Sequence, residues 1–302
     1  TRMSSSTALS STDNDRPSVP QPCPLIPKGT KILEHQVAGH FFGFGKTLYG
    51  ALQTSDGRTV LKCLKASSNA PKEYALYQRL VERQTEDEDH AWLLRLAPLF
   101  YGLFTCPDDG VQYLKLENIC YGFRRPCVKD VKIGQVTFDL DATKQRRLRE
   151  ISKCPLALMT GFQFVGMKLF CGGRYVFHER VCCRSLTVGQ LIHGIAYFYK
   201  AHVCLDSSRY LIEQVIQHLA EIERFVMSQR SFKMFGVSVL VVYEGDSPSE
   251  TPTVRVRLID FAHVYTDTYD GPDDNFLTGL ITYRKYLEKI TSQEYVYDND
   301  SN

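Results

Sequence analysis

The sequence predicts an α+β protein, built around one large core or in two lobes, and three observations predict it. Period-2 apolar alternation and helix-like 3.6-residue spacing both occur, in separate stretches of the chain. A hairpin pattern around Asp56-Gly57 runs directly into a helical stretch opening at Pro71. The length, 302 residues, suffices for one large core or for two lobes. Hydrophobic residues make up 43% and charged residues 23%, the balance of an ordinary globular chain.

A formal net charge of +2 leaves no global polybasic or polyacidic character. Any anion-binding surface must therefore be local, and nucleic acid is not expected as a partner. The ten cysteines are scattered, with no C-x-x-C pair and no histidine at zinc spacing. A chain of this size needs no disulfide frame, so reduced thiols are expected. No apolar run approaches the ~18 residues of a membrane span, and no basic start with an apolar core marks a signal peptide. A monomer of the nucleus and cytoplasm without a transmembrane segment is the expectation.

Residues 1–28, rich in Ser, Thr, Asp and Pro, read as a disordered tail, because they cannot bury enough apolar surface to order themselves. Residues 29–116 form the first lobe. Within it, 51–64 read as a hairpin turned at Asp56-Gly57, with Lys62 on its second strand. Gly45-Lys46-Thr47 precedes this hairpin but does not spell a P-loop, since it lies in a strand-like region and lacks the upstream glycine. Glu73 opens the helix that follows. A strand lysine followed by a helix glutamate is the arrangement protein kinases use to hold ATP phosphates. The strand 112–116 then runs into Glu117-Asn118-Ile119, where a two-lobed kinase places the hinge that meets adenine.

Residues 117–302 form the second lobe, with 136–184 as an insert. At its start stands Pro126-Cys127-Val128-Lys129-Asp130-Val131-Lys132-Ile133-Gly134. In an extended run, alternation sends Asp130 and Lys132 to one face and Val131 and Ile133 to the other. Taken alone, a solvated ion pair on an edge strand would explain this pattern. Residues 141–152 read as a short helix capped by Asp141, with Leu148 and Ile151 packing and Arg146, Arg149 and Lys153 clustered opposite. Three clustered cations in a nearly neutral chain make a cradle for a multiply phosphorylated ligand.

A strand pair over 161–170 and 174–184 turns at Gly172-Gly173, and two helices, 185–202 and 207–229, supply core. Strands at 237–244 and 254–259 follow, separated by a polar loop at 245–253. The second strand delivers Asp260-Phe261-Ala262-His263. An aspartate ending an apolar strand, followed by Phe, resembles the magnesium-binding D-F-G of kinases, where hard oxygen ligands are required. A last helix, capped by Asp274 or Asn275, runs to about 290, and an acidic tail over 295–302 ends the chain.

There is no H-R-D-x-x-x-x-N catalytic loop, so the chain is not an ordinary protein kinase. Pro126-x-x-x-Asp130-x-Lys132-x-Gly134 and Ile259-Asp260-Phe261-Ala262-His263 instead resemble the two signatures of the inositol polyphosphate kinases. The resemblance covers roughly residues 30–292 and is strongest to the multikinase branch, on Glu34-His35-Gln36-Val37-Ala38-Gly39-His40, the run 126–135 and the short insert. It implies a two-lobed fold distantly related to protein kinases, with a short helical inositol-binding insert.

The implied activity is ATP- and Mg²⁺-dependent phosphorylation of soluble inositol polyphosphates, from inositol 1,4,5-trisphosphate through tetrakisphosphates towards pentakisphosphate. Phosphoinositide lipid, phosphatidylinositol 4,5-bisphosphate, stands as a further substrate. By resemblance Lys62, supported by Glu73, contacts ATP phosphates, and Glu117 and Ile119 offer hinge backbone to adenine. Asp260 holds the metal, Lys132 bridges acceptor and transferred phosphoryl, and Asp130 either anchors the ribose or orients the acceptor hydroxyl. His263 faces the inositol ring, and Arg146, Arg149, Lys153 and Arg180 grip its phosphates.

The chain departs from the family pattern in two places. Val237-Ser238-Val239-Leu240 replaces Ser-Ser-Leu-Leu, which predicts the loss of one hydroxyl in the ATP site, with Ser238 remaining. Arg149 and Glu150 stand where glutamines are usual, which bears on the hydroxyl chosen and on lipid substrates. Two rival readings are a hexakisphosphate kinase making diphosphates and a catalytically weak inositol-phosphate-binding scaffold.

Overall fold

The computed structural model describes residues 23–44, 48–139, 141–200, 205–245, 253–266 and 271–292. Most of the expected N-terminal tail, the Gly45-Lys46-Thr47 triplet, most of the polar loop and the acidic C-terminal tail lie outside these residues.

The first sheet is built from β1 (Thr30–Ile32), β2 (Ala51–Thr54) and β3 (Thr59–Cys63), then, after helices α1 (Ala70–Arg83) and α2 (Glu88–Leu96), β4 (Phe100–Thr105) and β5 (Gln112–Glu117). Its order is β1-β2-β3-β5-β4, so β3 is the central strand. The β2–β3 hairpin closes at Asp56-Gly57 as expected. The Asp56 carboxylate accepts from the Thr54 hydroxyl and the Arg58 amide, and Gly57 takes a φ of +73°. Pro71 sits in the first turn of α1, where its missing N–H costs nothing.

The second sheet begins with β6 (Pro126–Ile133). Helices α3 (Lys144–Lys153) and α4 (Leu156–Thr160) follow, then β7 (Phe162–Cys171), β8 (Arg174–His178), α5 (Arg180–Arg184), α6 (Val188–Phe198) and α7 (Leu205–Ser228). After β9 (Phe232–Met234) come β10 (Ser238–Glu244), β11 (Val254–Ile259), a 3₁₀ turn at Phe261–His263, β12 (Val264–Thr266) and α8 (Asp274–Thr291). The order β11-β10-β6-β7-β8 makes β6 central. The nonapeptide is therefore no edge strand: it is paired on both sides, with a bulge against β7 between Asp130 and Val131. β7 and β8 complete this sheet, so within 136–184 the helices α3, α4 and α5 lie outside it.

One apolar cluster joins the two halves. Leu76, Tyr77 and Leu80 of α1 and Leu114 and Leu116 of β5 belong to the same core as Val131, Val239, Leu258 and Phe261. Alternation on β6 and β10 decides which residues reach it: Val131 and Ile133, with Val237, Val239 and Val241, turn inward. The apolar face of α7 packs in the same core, with Ile212, Val215, Leu219 and Val226 fully buried.

Several boundaries differ from the sequence reading for local reasons. Thr143, not Asp141, caps α3, its hydroxyl accepting from the Arg146 amide. No residue of α3 is buried and Leu148 is 58% exposed, so this helix lacks the packed face that its pattern suggested. Residues 180–184 form α5 rather than continuing β8. Asp273 caps α8, accepting from the Phe276 amide, one position before the expected cap.

Candidate active site

The central strands β3 and β6 face each other across a cavity of ≈ 330 Å³ lined by both sheets and α1. Val60, Leu116, Val128, Leu240 and Ile259 make its apolar part, and Val37 covers it from the β1–β2 connection. That connection is clamped to the second sheet. A Cβ on Gly166 of β7 would lie 2.0 Å from the Val37 carbonyl oxygen, so only glycine allows this approach. Lys168 Nζ also donates to the Glu34 carbonyl at 2.9 Å.

Lys62 alternates toward the cavity on β3. Its Nζ lies 2.7 Å from both oxygens of Glu73 on α1 and 2.8 Å from Asp260 Oδ1. Burial works against the charge of Lys62, but the two carboxylates outweigh it and hold the ammonium above its usual range. Glu73 is pushed up by burial, and its Oε1 also accepts from the Phe261 amide. Burial alone would raise Asp260, yet Lys62 and Lys132 hold its carboxyl below the ordinary value. Asp260 takes a left-handed backbone, φ +68°, which costs a non-glycine residue about 1 kcal/mol. Tyr77 packs edge-on against Phe261, centroids 5.6 Å apart, fixing the turn under α1.

Asp130 and Lys132 both line the cavity, as alternation predicts. Asp130 is 2% exposed, and its Oδ1 has no hydrogen-bond partner among the described residues. Burial, and then the Asp260 charge, push it up to about 6. Gly236, at φ +66°, makes room for Lys132: a Cβ there would lie 3.4 Å from Nζ and 3.0 Å from the Thr137 carbonyl.

A divalent cation fits this donor set. Asp130 Oδ1 makes no hydrogen bond of ordinary geometry among the described residues, although the Ser238 hydroxyl is near enough to lower its pKa, and Asp260 brings a second carboxylate; both are hard oxygen donors. No group of three or more His, Cys, Asp or Glu that could by itself hold a metal ion occurs among the described residues. These two carboxylates would supply part of a coordination sphere, and phosphate oxygens and water would complete it.

At the hinge, Glu117 and Ile119 line the cavity. The Glu117 amide is used by the Leu99 carbonyl at 2.8 Å, and the Ile119 carbonyl by Arg255 Nη1 at 2.9 Å. The Ile119 N–H makes no hydrogen bond among the described residues and remains available. Arg255, absent from the sequence reading, also holds the Tyr121 carbonyl at 2.6 Å and lies over the Phe123 ring at 4.6 Å, fixing this connection.

The remaining site residues divide. His263 lines the cavity, its Nδ1 2.6 Å from Asp139 Oδ1. Arg146 reaches the same carboxylate, Nη2 to Oδ2 at 3.4 Å. Lys153 is paired with Glu150 on its own helix, so it is not a free cation. Arg149 is exposed on α3. Arg180 starts α5 outside the cavity lining, yet near enough for its charge to act on Asp130 and His40. Ser238 is fully buried on the strand face shared with Leu240, opposite Lys132, without lining the cavity. Val237 faces the core from the other side of β10, so its replacement of a serine removes no hydroxyl from the cavity.

The sequence matches the family description "Inositol polyphosphate kinase" over residues 113–288, more than half of the chain. The chain belongs to the inositol polyphosphate kinase family. Among curated members it is 33% identical over 236 residues to the inositol polyphosphate multikinase of Homo sapiens, covering 76% of this chain and 55% of that protein. It is 28% identical over 284 residues to multikinase alpha of Arabidopsis thaliana, covering 86% of this chain and 96% of that one. The match to mouse inositol hexakisphosphate kinase 3 is 26% over 197 residues. The chain thus spans little more than half the length of its human relative. In fold, this member of the family is similar to the crystal structure of the multikinase Ipk2 of S. cerevisiae with ADP and Mn²⁺. That TM-score is 0.64 at 22% identity, over 78% of this chain and all of that one. The two-sheet α+β architecture is that of a kinase of this family. No helix among the described residues is long and apolar enough to cross a membrane.

Proposed function

We propose that the protein transfers the γ-phosphoryl of ATP to free hydroxyls of soluble inositol polyphosphates. Inositol 1,4,5-trisphosphate and the tetrakisphosphates are the acceptors, and pentakisphosphate is the end point. The carrying observation is that Lys62, joined to Glu73 and Asp260, faces the same cavity as Asp130 and Lys132. The yeast relative's complex with ADP and Mn²⁺, and the names of the curated relatives, support a nucleotide and a divalent metal here.

The apolar slot accepts adenine, with the Ile119 N–H and the Glu117 backbone along its edge. Lys62 holds phosphate oxygens, and Glu73 keeps its ammonium in place. Asp260, with Asp130 beside it, would hold Mg²⁺, whose charge neutralises the β- and γ-phosphate oxygens when bound. Lys132 stands between donor and acceptor and stabilises charge on the transferring group. Asp130 has two roles open to it, since a carboxylate oxygen suits either a ribose hydroxyl or the acceptor hydroxyl. His263 and Arg146 address the acceptor, and Arg149 and Arg180 extend the positive rim, to which Lys153, paired with Glu150, adds no free cation. Catalysis of this kind is positioning and charge neutralisation rather than covalent chemistry. We read the protein as a monomer of nucleus and cytoplasm, in keeping with the free thiols of the described residues, with phosphoinositide lipid as a further acceptor.

The test is to incubate the purified protein with ATP, Mg²⁺ and inositol trisphosphate and to separate products over time. Successive tetrakis- and pentakisphosphates are expected. A diphosphate product from inositol hexakisphosphate, with none from trisphosphate, would replace this reading with the hexakisphosphate kinase one. Inositol phosphate binding without any ATP turnover would leave a scaffold.

A further inference from the structure

No motif contained Asp139, yet it stands where the acceptor half of the site is assembled. It is 3% exposed. Its Oδ1 lies 2.6 Å from His263 Nδ1 and accepts from the Tyr265 hydroxyl at 3.1 Å, while Oδ2 lies 3.4 Å from Arg146 Nη2. One carboxylate thus ties together the connection after β6, the turn before β12 and the exposed helix α3.

The charge state of Asp139 decides how His263 is presented. Burial alone would raise its pKa, but the hydrogen bond of His263 first, and that of the Tyr265 hydroxyl, work against burial, and the carboxyl is held below its ordinary value. An ionised carboxylate can only accept, so the proton in the His263–Asp139 contact belongs to Nδ1. In the neutral ring Nε2 then carries the lone pair. The Asn69 amide nitrogen lies 3.5 Å from Nε2, at the limit of a hydrogen bond, so the lone pair is left open to a closer donor. His263 is a cavity residue, and Arg146 keeps half its side chain exposed beside it.

We propose that Asp139 is a positioning residue of the acceptor site. It fixes His263 as the Nδ1–H tautomer, so that Nε2 accepts the proton of the reacting hydroxyl, and it anchors Arg146 where the guanidinium meets a phosphate of the same acceptor. In the transfer, the hydroxyl oxygen bonds to the γ-phosphorus. The bond from that phosphorus to the β–γ bridging oxygen breaks with its electron pair left on ADP. The hydroxyl proton passes to Nε2 and then to solvent. The proposal rests on the kinase reading given above.

The experiment uses the full chain with Asp139→Ala, His263→Ala and the double variant. Asp139→Ala should lower kcat by about 10- to 100-fold, the usual size of a general-base contribution or somewhat below it. It should raise KM for inositol trisphosphate and leave KM for ATP within about twofold. In the His263→Ala background the further kcat loss should shrink to about twofold, leaving only the KM effect, because residues acting as a unit are not additive. Long-range ¹H–¹⁵N spectra of the wild-type protein should show His263 protonated on Nδ1. A dominant Nε2–H tautomer, or kcat losses that multiply in full, would overturn the proposal. Should Asp139→Ala not fold, the wild-type tautomer still decides. If the wild-type protein transfers no phosphoryl, the kinase reading fails. In that case the spectra, and calorimetric affinity for inositol trisphosphate with and without Arg146→Ala, still judge the placement made by Asp139.

Discussion

Lys62 and Lys129 sit on the central strands of the two sheets, and their surroundings differ in carboxylates. Lys62 has two within 2.8 Å and is held in its charged form. Lys129 is fully buried, with the Phe164 ring centroid 3.7 Å and the Phe198 centroid 5.2 Å from its Nζ. That nitrogen has no hydrogen-bond partner among the described residues, and burial pushes its pKa down to about 7. A desolvated cation–π contact contributes about 2 kcal/mol, less than the cost of burying an unpaired charge. Aromatic rings therefore do not replace a carboxylate. The same alternation that sends Asp130 and Lys132 to the cavity sends Lys129 to the core.

Lys62→Met should break the functional half of this comparison with the largest effect, lowering kcat/KM by about 10³-fold in a phosphoryl-transfer assay while circular dichroism stays unchanged. Glu73→Gln should cost about 10- to 100-fold in kcat/KM for ATP, since Asp260 still faces the ammonium.

Lys129→Met should act on stability instead, raising it by on the order of 3 kcal/mol at pH 7 in denaturant titrations. The sign follows from linkage. The folded pKa, about 7, lies below the ~10.4 of the unfolded chain, so between these values the unfolded state binds more protons. Wild-type stability should rise with pH from about 7 upward, by at most about 1.4 kcal/mol per unit, and Lys129→Met should lose that rise. The smallest effect belongs to Cys183→Ala. The Cys183 thiol is the titratable neighbour acting on Lys129, and burial pushes it up to about 11, so it is neutral in this range. The pH window should stay in place after its removal, and a shift of more than about half a unit would show that the thiol holds the amine.

Much of the site could be read before any tertiary contact was known. Asp56-Gly57 marks the hairpin by its turn chemistry, and period 2 then places Lys62. Pro71 marks the start of α1 and so brings Glu73 into range. Asp139, Arg255 and Gly166 gave no such signal. Each acts through a partner more than a hundred residues away or through one approach of backbone to backbone, and neither leaves a local period. Arg146, Arg149 and Lys153 look equivalent on a helical wheel, but Asp139 takes the first, Glu150 the last, and only Arg149 is left unpaired among the described residues.

What the sequence by itself determined are the local matters: which residues of β3 and β6 share a face, where turns and helices open, and which acids and lysines stand in motif order. The tertiary structure alone decided that Lys62 meets Asp260 across 198 positions, that Val237 turns away from the cavity, and that Lys129 has no hydrogen-bond partner among the described residues. The reason is physical. Backbone periodicity is set by near neighbours in the chain, whereas the charge of a buried group is set by whatever the fold brings within a few ångströms of it.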